Sequence, residues 1–437
     1  MTLRTLGGEK RHQIVMALPK CKRNVTPVLL VLSVLFPYIR LPGSIPDVRP
    51  EFVLILLTWS LLFINFIRTG HLWLRAQPAY KWFGLFGVSI VLSMAYAGMF
   101  KGEPVIARDW WEVVKVFLYF LLFAFVASQR VGLKTFRRYY RLSLILFMVS
   151  AFVGFLQYFN FAGINEVVSP YYAPTQMRGL LVHRRITGTT PNPNEFGALM
   201  VLSVSLALAG VLFFRDKKFR RLSWASLIIS WVALVLTLSR TSLVSALVST
   251  GIILGIFTKQ RGVCLKWKFR RWMLLLLFGV IAGGITVYVL PQRSLARYAQ
   301  LSNISGATSW QARLVNWRNN VGIWQTSPVF GWGPGKANMG TIVDNEWLLL
   351  LRRYGVVGLS VFLTLFLSLF FGLSRIRARN PQFEIMAYTT ALQGTFIGYG
   401  VYMVLASVYH SFQLMAVFIV FLGLAYSQNL SPQRGLR

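Results

Sequence analysis

The sequence has few charged residues, and acidic residues are especially scarce. Only 13% of the 437 residues are charged, with 12 Asp and Glu against 46 Lys and Arg. A soluble domain carries about 25% charged residues, so this chain cannot coat a globule in water. Hydrophobic residues make up 55% of the chain and mean hydropathy is +0.57. The composition therefore predicts an integral membrane protein.

Cysteine is also scarce. Only two cysteines are present, Cys21 and Cys264, which is too few for a disulfide scaffold or a cysteine metal site. We find no internal repeat and no low-complexity run. The glycine-rich stretch 331–335 (GWGPG) lacks the Lys-Ser/Thr pair of a nucleotide-binding loop and predicts only a turn. The residues before the first apolar segment lack the apolar region of a cleavable signal peptide.

Long apolar runs dominate the rest of the sequence. A bilayer takes about 17–25 apolar residues per helix, and twelve segments approach or reach that length. The fold class is thus an all-α polytopic membrane protein with about twelve transmembrane helices. We predict one transmembrane domain over 27–426, between tails 1–26 and 427–437. The segments are 27–39, 52–67, 82–100, 111–128, 142–161, 196–214, 222–238, 242–258, 272–290, 356–374, 385–406 and 409–426.

Basic residues concentrate in alternate connections between these segments. One side of the membrane then holds 30 basic and 3 acidic residues, and the other holds 16 and 9. The positive-inside rule places the first side, with both termini, in the cytoplasm. Orientation thus accounts for most of the net charge of +34, and no nucleic-acid partner is implied. The outer side has two loops long enough to build a site, about 162–194 and 291–345.

The cations of these two outer loops are nearly all arginine. The planar guanidinium fork binds phosphate at two points, so the loops predict an anionic ligand such as a diphosphate. Contact with lipid headgroups is the alternative for each arginine. The arginines are Arg178, Arg184, Arg185, Arg293, Arg297, Arg313 and Arg318.

Arg240 lies between two apolar segments with almost no loop between them, in VLTLSRTSLVSAL. An ionisable residue there is costly and predicts a functional role, with an interfacial snorkelling arginine as the alternative.

The segment RRITGTTPNPNEFG ends the first outer loop. This segment is equally consistent with a ligand-binding loop and with a rigid loop that leads into a helix. We predict that this helix starts at Glu195, with Asn194 as its N-cap.

Asp344 opens the run VDNEWLLLLRRYGVVGL. Because Arg352 and Arg353 would lie too deep in a span that began at Asn345, we predict a short interfacial helix that ends at Gly355. Asp344 then lies at the outer rim, as a general base or as a helix N-cap.

Any general base on the outer face must come from eleven residues. These are Asp47, Glu51, Glu103, Asp109, Glu112, Glu166, Glu195, Asp344, Glu346, His183 and His410.

Four segments together resemble the O-antigen ligase and Wzy-type polymerase family of bacterial envelope glycosyltransferases. They are RITGTTPNPNEFG, TLSRTSLV, SWQARLVNWRNNVGIWQTSPVFGWGPG and DNEWLLLLRRYGVVGL, and they span 185–359. The resemblance implies a GT-C-type enzyme of the bacterial inner membrane that needs no cofactor, metal or nucleotide. Such an enzyme transfers a glycan from undecaprenyl diphosphate to a sugar hydroxyl at the outer face. Its partners would be lipid-linked donor and acceptor, the bilayer and other polysaccharide-assembly proteins.

The resemblance also assigns roles to residues. Arg240 and Arg313 match two family arginines thought to hold the donor diphosphate and stabilise the leaving group. Asp344-Asn345 stands where ligases carry a His-Asn pair, and Arg353 stands where the family often has glutamate. We therefore predict a polymerase in which Asp344, Arg240 and Arg313 are catalytic and in which four further residues bind substrate, namely Arg178, Arg184, Arg185 and Asn345.

Two other functions stay open. A ligase would place finished glycan on lipid A core, and the missing His-Asn pair counts against it. A transporter or flippase would move a lipid-linked sugar. Transporters tend to carry inverted repeats and ionisable residues at the bilayer midplane, whereas the charges here gather on one face, which favours an enzyme.

Overall fold

The computed structural model describes residues 25–39, 48–69, 74–261, 308–339 and 343–428. Within these ranges the chain is helical, and the only extended pairing is an isolated bridge between Ile39 and Val48. The longer helices are numbered here in chain order. They are α1 Val25–Leu35, α2 Pro50–Thr69, α3 Ala79–Lys101, α4 Ala107–Ala127, α5 Leu133–Phe159, α6 Pro193–Phe213, α7 Lys217–Leu236, α8 Arg240–Arg261, α9 Thr308–Gln325, α10 Glu346–Arg379, α11 Phe383–Tyr402 and α12 Phe412–Ser427.

Eight of these helices, α2 to α8 and α10, are long and apolar enough to cross a membrane. Helices α1 and α12 are apolar but shorter, and α11 overlaps another predicted span. The predicted span 272–290 lies outside the described residues, as do Cys21, Cys264, Arg293 and Arg297. The all-helical polytopic fold is confirmed, while the number of twelve spans stays a prediction.

The inner helices pack through small residues and hydroxyl hydrogen bonds. Helix α6 is buried along most of its length, and Gly197 on α6 lies directly against Ser242 of α8. One turn further along α8 the Ser245 hydroxyl donates to the carbonyl of Gly398 on α11. Lipid supplies little hydrophobic drive between helices, so close backbone approach and polar contacts hold such bundles together.

Helix α10 breaks at Gly355, where φ is 62° and ψ is −169°. The segment that precedes α10 takes up the freed backbone groups. The Val356 N–H donates to the Pro328 carbonyl over 2.9 Å, and the Trp332 N–H donates to the Arg352 carbonyl over 3.0 Å. Buried backbone groups that lose their helical partners need others, and here the protein itself supplies them. The predicted short helix that ends at Gly355 is confirmed.

The predicted turn at 331–335 fits tightly against this break. Gly331, Gly333 and Gly335 all have positive φ. The Ser93 hydroxyl on α3 donates to the Arg353 carbonyl over 2.6 Å and accepts the Gly333 N–H over 3.0 Å. One serine thus joins the turn, the broken helix and α3.

Alanine at Gly355 should destabilise the protein. Its Cβ would lie 2.1 Å from the Val329 carbonyl oxygen, and the backbone region is essentially restricted to glycine, at a cost of about 1–3 kcal/mol before the clash. We expect Gly355→Ala to lower the thermal unfolding midpoint of the purified protein in detergent. Gly255→Ala on α8 is the control because no atom lies within 4 Å of the added Cβ. Equal midpoints for wild type and Gly355→Ala would contradict the role of the break.

Candidate active site

A polar cavity of about 370 Å³ lies between α4, the start of α10, the segment before α10 and the connection from α11 to α12. Five of the eight residues that line it are ionisable. The lining residues are Glu112, Lys336, Val343, Asp344, Leu349, Arg353, Ser407 and His410.

Glu112 of α4 is the centre of the charges around this cavity. Its carboxylate is 4% exposed and lies 2.9 Å from the Lys336 Nζ, 2.5 Å from the Lys115 Nζ and 3.5 Å from an Arg353 Nη1. The Tyr354 hydroxyl donates to it over 3.4 Å. A buried carboxylate is costly unless it is paired and hydrogen-bonded, and here three cations surround one anion.

Glu346, in the first turn of α10, fixes the connection from α11 to α12. Its fully buried carboxylate accepts the backbone N–H of Val408 over 2.6 Å and that of Tyr409 over 3.0 Å. It also binds Nδ1 of His410. The imidazole is therefore held by a buried acceptor in the same way that carboxylates orient histidines elsewhere.

His410 faces the cavity with its other ring nitrogen. Nε2 lies 2.6 Å from the Nη1 of Arg353 and 3.6 Å from Glu112. Because a guanidinium only donates, Nε2 must accept and Nδ1 must carry the proton shared with Glu346. The predicted span 409–426 includes His410, but this residue lies in the connection before α12, which begins at Phe412. Burial, and then the charge of Lys115, lower the pKa of His410, while Glu346 and Glu112 act in the opposite direction.

The structure brings together two of the three predicted catalytic residues. The Arg313 Nε on α9 lies 3.3 Å from an Asp344 carboxylate oxygen, with side-chain exposures of 29% and 46%. Helix α9 is also joined to α10, since Nη1 of Arg352 donates to the Asn320 side chain over 2.7 Å. Asp344 thus lies at the accessible rim of the cavity with an arginine beside it.

Asn345, and not Asp344, caps α10. The Asn345 side chain accepts the Leu348 N–H over 3.0 Å, and α10 begins at Glu346. The capping interpretation of Asp344 is therefore wrong, because its carboxylate faces Arg313. Asn345, predicted to bind substrate, has its side-chain oxygen engaged in the cap.

Arg185 lies in a second polar cluster beside Arg240. Its Nε donates to the Thr237 carbonyl over 3.1 Å, and its Nη2 lies 3.2 Å from the Asn194 side-chain oxygen. The loop that ends at Asn194 thus packs on the turn from α7 to α8, which leads directly to Arg240. The Arg240 side chain is half-buried, and no hydrogen bond or ion pair joins it to another described residue.

The start of α6 differs from the prediction. Asn192 is the N-cap, accepting the Glu195 N–H over 2.9 Å, and α6 begins at Pro193. Asn194 lies within the first turn, where its side chain points to Arg185 instead. The next residue, Glu195, accepts the Ser411 hydroxyl, so this loop contacts the connection that carries His410.

The remaining predicted arginines lie at the surface. Arg178 is exposed, and Arg184 is exposed over the ring of Tyr158, 5.9 Å from its centre. Among the described residues, Arg178, Arg184, Arg185 and Arg240 do not line the cavity. The predicted site is thus divided between the cavity and the loop before α6.

Sequence reasoning missed Lys336 and Lys115 and gave no role to Arg353. It named Glu112, Glu346 and His410 only among the possible bases. One signal was present: Glu112 and Lys115 are ionisable residues one turn apart inside an apolar helix, which predicts a functional or paired position.

No group of three or more His, Cys, Asp or Glu in the described ranges is arranged to hold a metal ion. Independence from metal stays a prediction of the resemblance.

The fold and cavity define an integral membrane protein whose helices enclose a charged, accessible site. Residues 225–363 match the family model described as O-antigen ligase. The match includes Arg240, Arg313 and Asp344 and confirms the resemblance to the O-antigen ligase and Wzy-type membrane enzymes. It covers less than half of the chain, and Glu112, Arg185 and His410 lie outside it. The chain has no match among curated proteins.

Proposed function

We propose that the protein polymerises undecaprenyl-diphosphate-linked oligosaccharide units into a surface polysaccharide at the outer face of the bacterial inner membrane. The observation that carries this proposal is the accessible carboxylate–arginine pair of Asp344 and Arg313 at the cavity, within the segment that matches the O-antigen ligase family. A carboxylate beside a cation fits a reaction that removes a proton and expels an anion.

The proposed reaction is an inverting glycosyl transfer. The acceptor hydroxyl oxygen forms a bond to the anomeric carbon of the donor, and the bond from that carbon to the diphosphate oxygen breaks. The bonding electrons leave with undecaprenyl diphosphate, and the hydroxyl proton passes to Asp344. Asp344 is 46% exposed, so a sugar hydroxyl can reach it.

Arg313 and Arg240 would offset the negative charge that grows on the departing diphosphate. Preorganised donors at developing charge are usually the largest catalytic contribution, about 3–4 kcal/mol for one group removed. Arg178, Arg184 and Arg185 would guide the anionic headgroup along the loop before α6.

Ligase activity is the second candidate, because the family model itself is described as O-antigen ligase. The Asp344-Asn345 pair, in place of the His-Asn pair typical of ligases, favours the polymerase. A transporter of lipid-linked sugars is less well supported, because the described charges converge on one cavity and not on a series of sites across the bilayer.

A deletion strain separates the two enzyme functions. If the protein is the polymerase, surface glycan should retain one repeat unit and lose chain extension, and a plasmid copy should restore the long chains. Accumulation of lipid-linked polymer with no transfer to core would identify a ligase instead. Gel profiles of surface glycan and of extracted lipid-linked glycan measure both outcomes.

Asp344→Asn should lower the transfer rate about 10²–10⁴-fold, because the amide cannot accept the proton. Asp344→Ala should lose as much without a change in thermal stability, since Asp344 does not cap α10. Asn345→Ala is the contrasting variant and should cost about 0.5–2 kcal/mol of stability through loss of the cap. Rates on lipid-linked substrate and unfolding midpoints test both. A fully active Asp344→Asn enzyme would move the base to Glu346, His183 or His410.

Alanine at Arg240 or Arg313 should abolish transfer while the protein still folds into the membrane. Lysine should restore little, because it lacks the planar fork that binds diphosphate at two points. Transfer assays with purified lipid-linked donor, together with size-exclusion profiles, measure activity and folding. Wild-type rates in both lysine variants would exclude a diphosphate-binding role for these arginines.

A further inference from the structure

Two cations and two carboxylates line the cavity. The cations are Lys336 and Arg353, and the carboxylates are Glu112 and Asp344. Each carboxylate also has a cation that is not part of the lining, Lys115 for Glu112 and Arg313 for Asp344. The two lining cations therefore share their carboxylates with other cations and can also bind an anionic occupant.

Arg353 has one side-chain donor, Nε, without a partner. Its side chain is only 3% exposed and lines the cavity, yet its Nε has no hydrogen-bond partner among the described residues. A buried donor without a partner costs about 1–3 kcal/mol, which a ligand oxygen that reached it would recover. Lys336 lines the same cavity, is 19% exposed, and can reach a ligand while it stays near Glu112.

His410 determines where the Arg353 guanidinium lies. Glu346 holds the proton on Nδ1, which leaves Nε2 as an acceptor for Nη1 of Arg353 at 2.6 Å. The Ser93 hydroxyl holds the backbone carbonyl of Arg353 from the other side. The arginine is therefore fixed at both its main chain and its side chain before any ligand arrives, which lowers the entropy cost of binding.

We propose that Arg353 and Lys336 form a diphosphate-binding site in this cavity, and that His410, held by Glu346, positions the Arg353 guanidinium for it. The assignment of the anion as the diphosphate of a lipid-linked glycan rests on the proposed function. The site adds to the sequence-predicted arginines Arg240 and Arg313, neither of which is among the residues that line the cavity.

Binding can be measured without turnover. Wild-type protein in nanodiscs would be titrated with undecaprenyl diphosphate, and separately with inorganic pyrophosphate. We expect Arg353→Gln to weaken undecaprenyl diphosphate binding at least 10-fold, and Lys336→Gln to weaken it less, because Lys336 is more exposed. Arg108→Gln, which changes an exposed arginine one turn before Glu112 on α4, is the matched control and should bind as wild type does. Unchanged affinity in Arg353→Gln would overturn the proposal.

Titration with inorganic pyrophosphate distinguishes a free diphosphate from the diphosphate headgroup of a lipid as the bound anion. Binding of pyrophosphate with loss in Arg353→Gln supports recognition of the diphosphate itself. Tight binding of pyrophosphate without binding of undecaprenyl diphosphate would overturn the lipid-linked assignment. Wild-type protein that binds undecaprenyl diphosphate but makes no polymer contradicts the proposed function and leaves the binding site intact.

A lysine variant controls for folding. Arg353→Gln removes a partner from buried Glu112, whereas Arg353→Lys keeps a positive charge beside Glu112 and loses only the planar fork of donors. We expect Arg353→Lys to unfold near the wild-type temperature and still to bind undecaprenyl diphosphate more weakly than wild type does. Wild-type affinity in Arg353→Lys would mean that Arg353 serves only as a counter-ion for Glu112, and would overturn the proposal.

The positioning role of His410 predicts a pH dependence. The charged groups that face His410 are Glu346 and Arg353 of α10 and Glu112 and Lys115 of α4, and Lys336 and Asp344 line the same cavity. Burial lowers the pKa of His410 from its ordinary value, so the ring gains a proton only at a more acidic pH than a free histidine does. A protonated Nε2 cannot accept from Arg353, so affinity for undecaprenyl diphosphate should fall in this acidic range.

His410→Gln tests this dependence. A glutamine oxygen can accept from Arg353 at every pH, so the variant should lose the extra acid sensitivity while binding near pH 7 stays within a few-fold of wild type. Titration of the ligand affects both proteins alike and cancels in the comparison. The same acid profile in wild type and His410→Gln would overturn the positioning role.

Discussion

The break in α10 at Gly355 is the constraint on which the site depends. A helix interrupted inside the protein must find partners for its free backbone groups, and the segment that precedes α10 supplies them at Pro328 and Trp332. That segment also carries Lys336, while the residues just before the break carry Arg353. The bonds that satisfy the break therefore deliver two cations to the same carboxylate, Glu112.

Glu112 in turn offsets the repulsion among the cations that are brought together here. Its buried carboxylate lies among Lys115, Lys336 and Arg353, and without it three cations would face one another in a poorly polarisable interior. Because three cations share this one carboxylate, Lys336 and Arg353 can also bind an anionic ligand in the cavity that they line.

Local sequence patterns predicted the features that depend on neighbouring residues. The lengths of the apolar segments predicted the helices. Arg352 and Arg353 would lie too deep in one continuous span, and this predicted the break at Gly355. The pairing of Glu112 with Lys336 could not be predicted, because residues on different elements meet only after the bundle packs. Asn192 and Asn194 each follow a proline and precede Glu195, so the local pattern does not show which of them caps α6. The sequence predicts Asn194, whereas the structure shows Asn192 as the cap.

Arg353 departs from the glutamate that the family often carries, and its contacts give a physical reason. The side chain lies within reach of Glu112 and of His410, whose far nitrogen is bound to Glu346. A glutamate at 353 would bring a third carboxylate beside two buried ones, and like charges at that distance disfavour ionisation. Arg353, Glu112 and His410 are therefore coupled positions.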